Sequence, residues 1–117
     1  MFTAMINLSV DEAYAFDYLS ILHVKSYHSE GAVRAWEKCH EFLGAQIDNQ
    51  LWNSIIESEE YENLKKANQT VFNAVEKARY GNISAKEVDE SNTERYRSKV
   101  KFQEKFFPKN KISETKT

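Results

Sequence analysis

The residues from Val10 to Lys25 constrain the fold most, because a helix formed by them would be apolar on almost every side. Their apolar side chains point in nearly all directions around a helical period of 3.6 residues. They are Ala13, Tyr14, Phe16, Tyr18, Leu19, Ile21, Leu22 and Val24. Other helices normally enclose such a helix. We therefore expect a central helix in which Leu19 and Ile21 are both buried, although they point to opposite sides.

The rest of the chain predicts more helices around this one. Only 3 glycines and 1 proline occur in 117 residues, which favours long helices with short connections. The sequence predicts an all-α fold, a single-domain helical bundle of four longer helices plus one short helix, mostly antiparallel. This domain covers residues 1–107, and the polar residues 108–117 form a flexible tail. No apolar run is long enough to span a membrane.

Capping signals set the predicted helix boundaries. Ser-x-x-Glu capping boxes begin at Ser9 and Ser84, and Ser29, Asp48 and Ser58 are further candidate caps. The first three helices then run from Val10 to Tyr27, Glu30 to Gln46 and Asn49 to Glu57. The fourth opens at Ser58 and is stopped by Gly81, and the fifth runs from Ala85 to Phe107. A break of the fifth helix near Ser91 is the alternative, because Ser91 and Glu94 repeat the capping pattern. The second helix buries a stripe that includes Trp36, Cys39, Phe42 and Leu43.

The charges divide the chain into two halves. Residues 1–62 contain 3 Lys or Arg against 11 Asp or Glu, whereas residues 63–117 contain 13 against 7. Either the two halves attract each other, in the fold or in an oligomer, or the basic end meets an anionic partner. We favour the first alternative. The candidate residues for binding an anion or a partner lie in the fifth helix, and they are Asn92, Arg95, Lys99, Lys101 and Lys105.

Two groups of residues imitate catalytic or metal sites. Asp17, Ser20 and His23 are the residue types of a hydrolase triad, but about 9 Å of helix rise separates the acid from the base. We interpret them as a polar stripe bonded to a neighbouring helix. Glu37 and His40 have the spacing of a di-iron motif, but the second copy that such a site needs is missing. His40 lies at the edge of the apolar stripe of the second helix and Glu37 lies outside it, so both should face water. We predict no catalytic residue, no metal site and no cofactor.

Acidic residues also gather at two predicted helix starts. The clusters are Glu57, Glu59, Glu60 and Glu62, and Glu87, Asp89 and Glu90. They resemble the paired acidic helices of all-α nucleotide pyrophosphohydrolases, in which inward-facing carboxylates bind Mg²⁺. Acids are expected in first helical turns in any case, so a metal-dependent nucleotide hydrolase is the alternative function.

A second resemblance concerns the source. The segments Asn7-Leu-Ser-Val-Asp-Glu-Ala-Tyr14 and Val88-Asp-x-x-Asn92-x-x-Arg95-Tyr96-x-x-Lys99, the latter ending in Phe106-Phe107, are similar to small uncharacterised helical proteins of marine phages and marine metagenomes. The resemblance covers parts of two helices and implies no activity.

These observations predict a small protein-interaction or assembly module rather than an enzyme. Two Trp, 6 Tyr and 7 Phe in so short a chain favour a homodimer, because its apolar stripes exceed what one copy covers. Another protein partner remains open. A nucleic-acid-binding accessory protein that uses the basic last helix is a further alternative, and it is not favoured because no known base-reading motif is present. One cysteine, Cys39, and no basic secretory leader favour a cytoplasmic location.

Overall fold

Five α-helices make up residues 10–81 and 84–109, which are the residues that the computed structural model describes. They are α1 (Glu12–Ser26), α2 (Glu30–Gln46), α3 (Asn49–Ile56), α4 (Glu59–Arg79) and α5 (Ala85–Phe106). The predicted all-α helical bundle with one short helix is confirmed. No helix in the described residues is long and apolar enough to cross a bilayer. Most of the predicted tail, residues 110–117, lies outside them.

Side-chain caps begin three of these helices at the predicted residues. The Asp48 carboxylate accepts the amides of Gln50 and Leu51 at the start of α3. At the start of α4 the Ser58 hydroxyl accepts the Tyr61 amide at 3.0 Å. At the start of α5 the Ser84 hydroxyl accepts the Glu87 amide at 3.3 Å. Helix α5 is continuous. Its Ser91 hydroxyl donates to the Glu87 carbonyl of the previous turn at 2.9 Å, so it does not cap a new helix.

The start of α1 differs from the prediction. The helix begins at Glu12 behind Asp11, whose side chain makes no capping hydrogen bond. Ser9, the predicted cap, lies outside the described residues. The side chain of Gln103, on α5, caps this end instead: its Oε1 accepts the Ala13 amide at 2.8 Å and its Nε2 donates to Glu12 at 3.1 Å. First-turn amides have no partner inside their own helix, so Gln103 of α5 supplies an acceptor that α1 does not contain.

Contacts between named residues give the helix directions. Gln103 meets Ala13 and Arg95 meets Asp17, so α5 runs antiparallel to α1. Asn68 meets Asp17, and the ring of Phe72 stacks on His28, which follows the end of α1, at 4.8 Å, so α4 runs parallel to α1. Four helices that alternated in direction would make α4 antiparallel to α1, so the short helix α3 does not add a full reversal of the chain.

The core lies where α1, α3, α4 and α5 meet. Its largest fully buried side chains are Phe16, Leu19, Ile55, Leu64 and Phe102. The ring of Phe16 lies 5.1 Å from that of Phe102 and 5.7 Å from that of Trp52, centroid to centroid. The prediction for Leu19 is confirmed, whereas the prediction that Ile21 is buried is wrong, since Ile21 is only half-buried.

Helix α2 covers the bundle less completely than predicted. None of its residues is fully buried, and Trp36, Cys39 and Leu43 pack half-buried against the core. Phe42, predicted to lie on the buried stripe, is 64% exposed. The stripe is wider than the contact that α1 and Trp52 of α3 provide, so its edge remains in solvent.

Candidate functional site

An exposed apolar surface spans α1 and α4. We call it the α1/α4 surface and define it by Tyr14, Tyr18, Ile21, Val71, Phe72 and Val75. The helix predicted to be enclosed on all sides is therefore open on one: Tyr14 is 48% exposed and Tyr18 51%. Tyr14, Tyr18 and Ile21 are separated by four and three residues, so they lie on one face of α1.

A groove of about 210 Å³ forms the α4 side of this surface. Its lining residues, whose exposed surface is mostly apolar, are Ile21, Val24 and Lys25 of α1, Asn68, Val71, Phe72 and Val75 of α4, and Arg95 of α5. Val75 is 43% exposed. A groove lined in this way suits an apolar side chain from another molecule better than it suits a polar substrate.

A buried ion pair lies beneath the groove. Asp17 of α1 is 2% exposed, and its carboxylate accepts Nη2 of Arg95 at 2.8 Å and Nε at 3.3 Å. The Lys99 Nζ lies 3.9 Å from the same carboxylate and is as deeply buried. Two cations from the basic half of the chain therefore surround one carboxylate from the acidic half.

Asn68 of α4 extends this ion pair into a network. Its Nδ2 donates to the Asp17 carboxylate at 2.8 Å and lies 2.7 Å from the Ser20 hydroxyl, which itself donates to the Asp17 carbonyl. The predicted polar stripe on α1 is thus confirmed for Asp17 and Ser20. Buried polar groups need such partners, because an unpaired one costs free energy. The network fixes α1, α4 and α5 relative to one another.

His23 does not belong to this network, contrary to the prediction. Its Nε2 lies 3.2 Å from the Tyr27 hydroxyl, and its ring stacks on Trp36 at 4.7 Å. Its Nδ1 is buried and has no hydrogen-bond partner in the described part of the chain. Burial lowers the pKa of His23, and the charge of Lys65 acts in the same direction. No hydrolase triad forms, because the imidazole lies on a different face of α1 from Asp17.

The five predicted binding residues do not converge. Arg95 and Lys99 turn inward to Asp17, while Asn92 donates to the Val88 carbonyl of its own helix at 3.2 Å. Lys101 and Lys105 are exposed, and their role in binding an anion or a partner stays a prediction. Of Asn92, Arg95 and Lys99, only the two cations therefore contact Asp17 of the neighbouring helix α1.

The predicted acidic and metal-like residues lie apart from this network. Glu59, Glu60 and Glu94 line a cleft of about 460 Å³ between α4 and α5, where Lys66 and Lys101 bring opposite charge. Within residues 10–81 and 84–109, no three His, Cys, Asp or Glu side chains are placed to ligate a metal ion together.

Glu37 and His40, the pair with the spacing of a di-iron motif, lie on α2. Glu37 is exposed as predicted, but His40 is half-buried against the edge of Trp52, 4.9 Å between ring centroids.

Cys39 lies on the same helix. Burial raises the pKa of the Cys39 thiol, which disfavours the reactive thiolate. Cys39 therefore packs as a small apolar side chain.

Sequence reasoning missed Asn68 and Gln103, the two amides that complete the polar contacts of α1. A signal for Asn68 was present, since it lies four residues after Leu64 and three before Val71, both in the apolar band of α4. Comparisons of the chain with protein-family models, with curated proteins and with solved structures found no match.

Proposed function

We propose that this protein is a non-enzymatic interaction and assembly module that forms a homodimer. The α1/α4 surface is the observation that supports this function. Scattered apolar residues are normal on protein surfaces, but a continuous apolar surface is typical of a protein-protein contact. Tyrosine is enriched in such contacts because its ring is apolar and its hydroxyl tolerates water.

The alternative functions have less support. A nucleotide hydrolase needs carboxylates that converge on a metal ion, and in the α4/α5 cleft Glu59 and Glu94 are accompanied by Lys66 and Lys101. A nucleic-acid-binding protein needs cations directed outward to phosphates, and Arg95 and Lys99 are directed inward to Asp17. The attraction between the two halves of the chain thus acts within one copy at Asp17.

A cytoplasmic location is part of the same proposal. The one cysteine of the chain is a free thiol in the structure. Free thiols persist in reducing compartments.

Light scattering after size-exclusion chromatography tests the proposed self-association. We expect the mass of a dimer, twice 13.7 kDa, at micromolar concentration. The double variant Tyr14→Ser, Tyr18→Ser should shift the equilibrium to monomer, because it removes two aromatic anchors. The matched control is Phe42→Ser, which removes a comparably exposed ring from α2. A monomer mass for the unaltered protein, or equal effects of both variants, would overturn the proposal.

A further inference from the structure

A column of aromatic rings joins α2 to the two helices that flank it in the sequence. It consists of His23 of α1, Trp36 and His40 of α2, and Trp52 of α3, and we call it the ring column. The centroids of successive rings lie 4.7, 5.2 and 4.9 Å apart. Histidine and tryptophan alternate in this column, so two rings that can gain a proton contact the same indole, that of Trp36.

Helix α2 is held in the bundle by half-buried side chains. None of its residues is fully buried, whereas each of the other four helices contributes at least one that is. Cys39 and Leu43 also pack against the core only in part. Segments with few buried apolar contacts open locally at a lower free-energy cost than the rest of a fold, so α2 should open first.

The surroundings of His23 suit a neutral ring better than a charged one. Its Nε2 lies 3.2 Å from the Tyr27 hydroxyl, but its Nδ1 is buried and meets no hydrogen-bond partner among the residues that the structure describes. A charged imidazole donates from both nitrogens, so it would keep a buried N–H without an acceptor, which costs free energy. Opening of α2 would let water bond this nitrogen and the equally unpartnered Nε1 of Trp36.

The charges around His23 act in both directions. Lys65 of α4 and a protonated His40 of α2 repel a positive charge at His23, and Glu62 of α4 attracts it. Helix α3 carries no titratable side chain, and α5 packs on the face of α1 that carries Asp17, away from His23. Burial is the largest influence, and it lowers the pKa of His23 from the usual value of about 6.5.

We propose that a proton gained by His23 releases α2 from the bundle by local unfolding, while α1, α3, α4 and α5 stay packed. In the open state the ring is in water and binds its proton near pH 6.5, but in the closed bundle it does so only at lower pH. Acid therefore favours the open state, and one proton limits the increase to about tenfold per pH unit. Helix α2 lies outside the α1/α4 surface, so this inference is independent of the proposed dimer.

Hydrogen exchange measured peptide by peptide tests the release between about pH 7.5 and about pH 5. After correction for the intrinsic pH dependence of amide exchange, protection of α2 should fall several-fold in acid, while protection of α4 and α5 stays constant. His23→Phe should abolish the fall, because phenylalanine keeps a ring against Trp36 but cannot gain a proton. The matched control, His28→Phe, should retain it, since His28 is exposed and stacks on Phe72 of α4.

The native thiol of Cys39 supplies a second measurement. Cys39 is the one cysteine of the chain and lies half-buried on α2. At about pH 5, a pyridyl disulfide should modify it several-fold faster in the parent than in His23→Phe, because α2 is open more often in the parent. In urea, where both proteins are unfolded, the two rates should be equal.

The outcomes decide whether His23 controls α2. Loss of protection confined to α2 in the parent and in His28→Phe, but absent from His23→Phe, supports the proposal. Equal loss in all five helices, or constant protection of α2, overturns it. So does protection that rises in acid, the result expected if the indole of Trp36 attracts the charged ring more strongly than burial excludes it. A loss that persists in His23→Phe but disappears in His40→Phe assigns the proton to His40 and overturns the role of His23.

The test does not depend on the folding of a variant. Circular dichroism at neutral pH shows whether His23→Phe keeps the helical content of the parent. If it does not, NMR titration of the His23 ring in the parent replaces it. The midpoint of that titration should coincide with the midpoint of the loss of protection in α2, and separate midpoints overturn the proposal.

Discussion

The carboxylate of Asp17 and the guanidinium of Arg95 meet at 2.8 Å although 78 positions separate them in the sequence. Asp17 comes from the acidic half of the chain, and Arg95 and Lys99 come from the basic half. The opposite charges of the two halves are therefore brought together inside one copy of the protein, at a site from which solvent is almost excluded.

Replacing Asp17 should be among the most damaging single changes. Asp17→Asn keeps the shape of the side chain but removes the buried negative charge that Arg95 and Lys99 face, which should cost about 3–5 kcal/mol in the free energy of unfolding. Urea denaturation measures this cost. The control is Glu94→Gln, because Glu94 and its partner Arg97 are both exposed, and loss of such a pair costs at most about 1 kcal/mol. Similar costs for the two variants would contradict the structural role of Asp17.

Gln103→Ala should loosen the start of α1. The variant removes the acceptor of the Ala13 amide, and loss of a helix cap costs about 0.5–2 kcal/mol. Hydrogen exchange followed by NMR should show faster exchange of the Ala13 amide than in the parent. Glu104→Ala, at the exposed neighbouring position, should leave that amide protected. If the rate at Ala13 is unchanged in Gln103→Ala, the cap is not needed.

Leu19→Ala and Ile21→Ala should differ in their effect on stability. Leu19 is fully buried, so its truncation should cost about 2–5 kcal/mol. Ile21 is half-buried, and its truncation should cost no more than about half as much, since less apolar surface returns to water. Thermal or urea unfolding at a concentration where the protein is monomeric makes the comparison. Equal costs would mean that Ile21 is enclosed in solution.

His23 should make stability fall in mild acid. Its folded-state pKa lies below the unfolded value of about 6.5, so the unfolded chain binds the proton more readily. The stabilisation is complete above about pH 6.5 and decreases as the pH falls from there through the lower folded-state pKa. Lys65 opposes protonation and Glu62 favours it, but burial is the largest cause.

The His23→Phe variant tests this effect. It keeps a ring against Trp36 but cannot titrate, so the loss of unfolding free energy between about pH 7.5 and about pH 5 should be smaller than in the parent. His28→Phe is the control, because His28 is exposed and stacks on Phe72. An unchanged pH dependence in His23→Phe would show that another group is responsible.

Local signals in the sequence predicted the helices well. Asp48, Ser58 and Ser84 cap the helices that they were predicted to cap. Such caps can be predicted from the sequence because each acts on amides only two or three residues away. The start of α1 could not be predicted in this way, because its cap, Gln103, is 90 positions distant.

The candidate site was harder to predict. The spacing of four and three residues places Arg95 and Lys99 on one side of α5 with Phe102. Periodicity does not say which helix that side will meet, so it could not identify their partner, Asp17. Periodicity also did not distinguish Tyr14 and Tyr18, which are exposed, from Phe16 and Leu19, which are buried. Their exposure depends on which side of α1 is left without a neighbouring helix, and that is decided by the packing of the whole bundle.

The cap that Gln103 provides has a consequence for synthesis of the chain. Helix α1 is synthesised before α5, so Arg95, which pairs with Asp17, and Gln103, which accepts the Ala13 amide, follow their partners by 78 and 90 residues. At about 5–20 residues per second, this interval is on the order of ten seconds. We expect α1 to spend this interval with an Asp17 carboxylate that lacks Arg95 and an Ala13 amide that lacks Gln103.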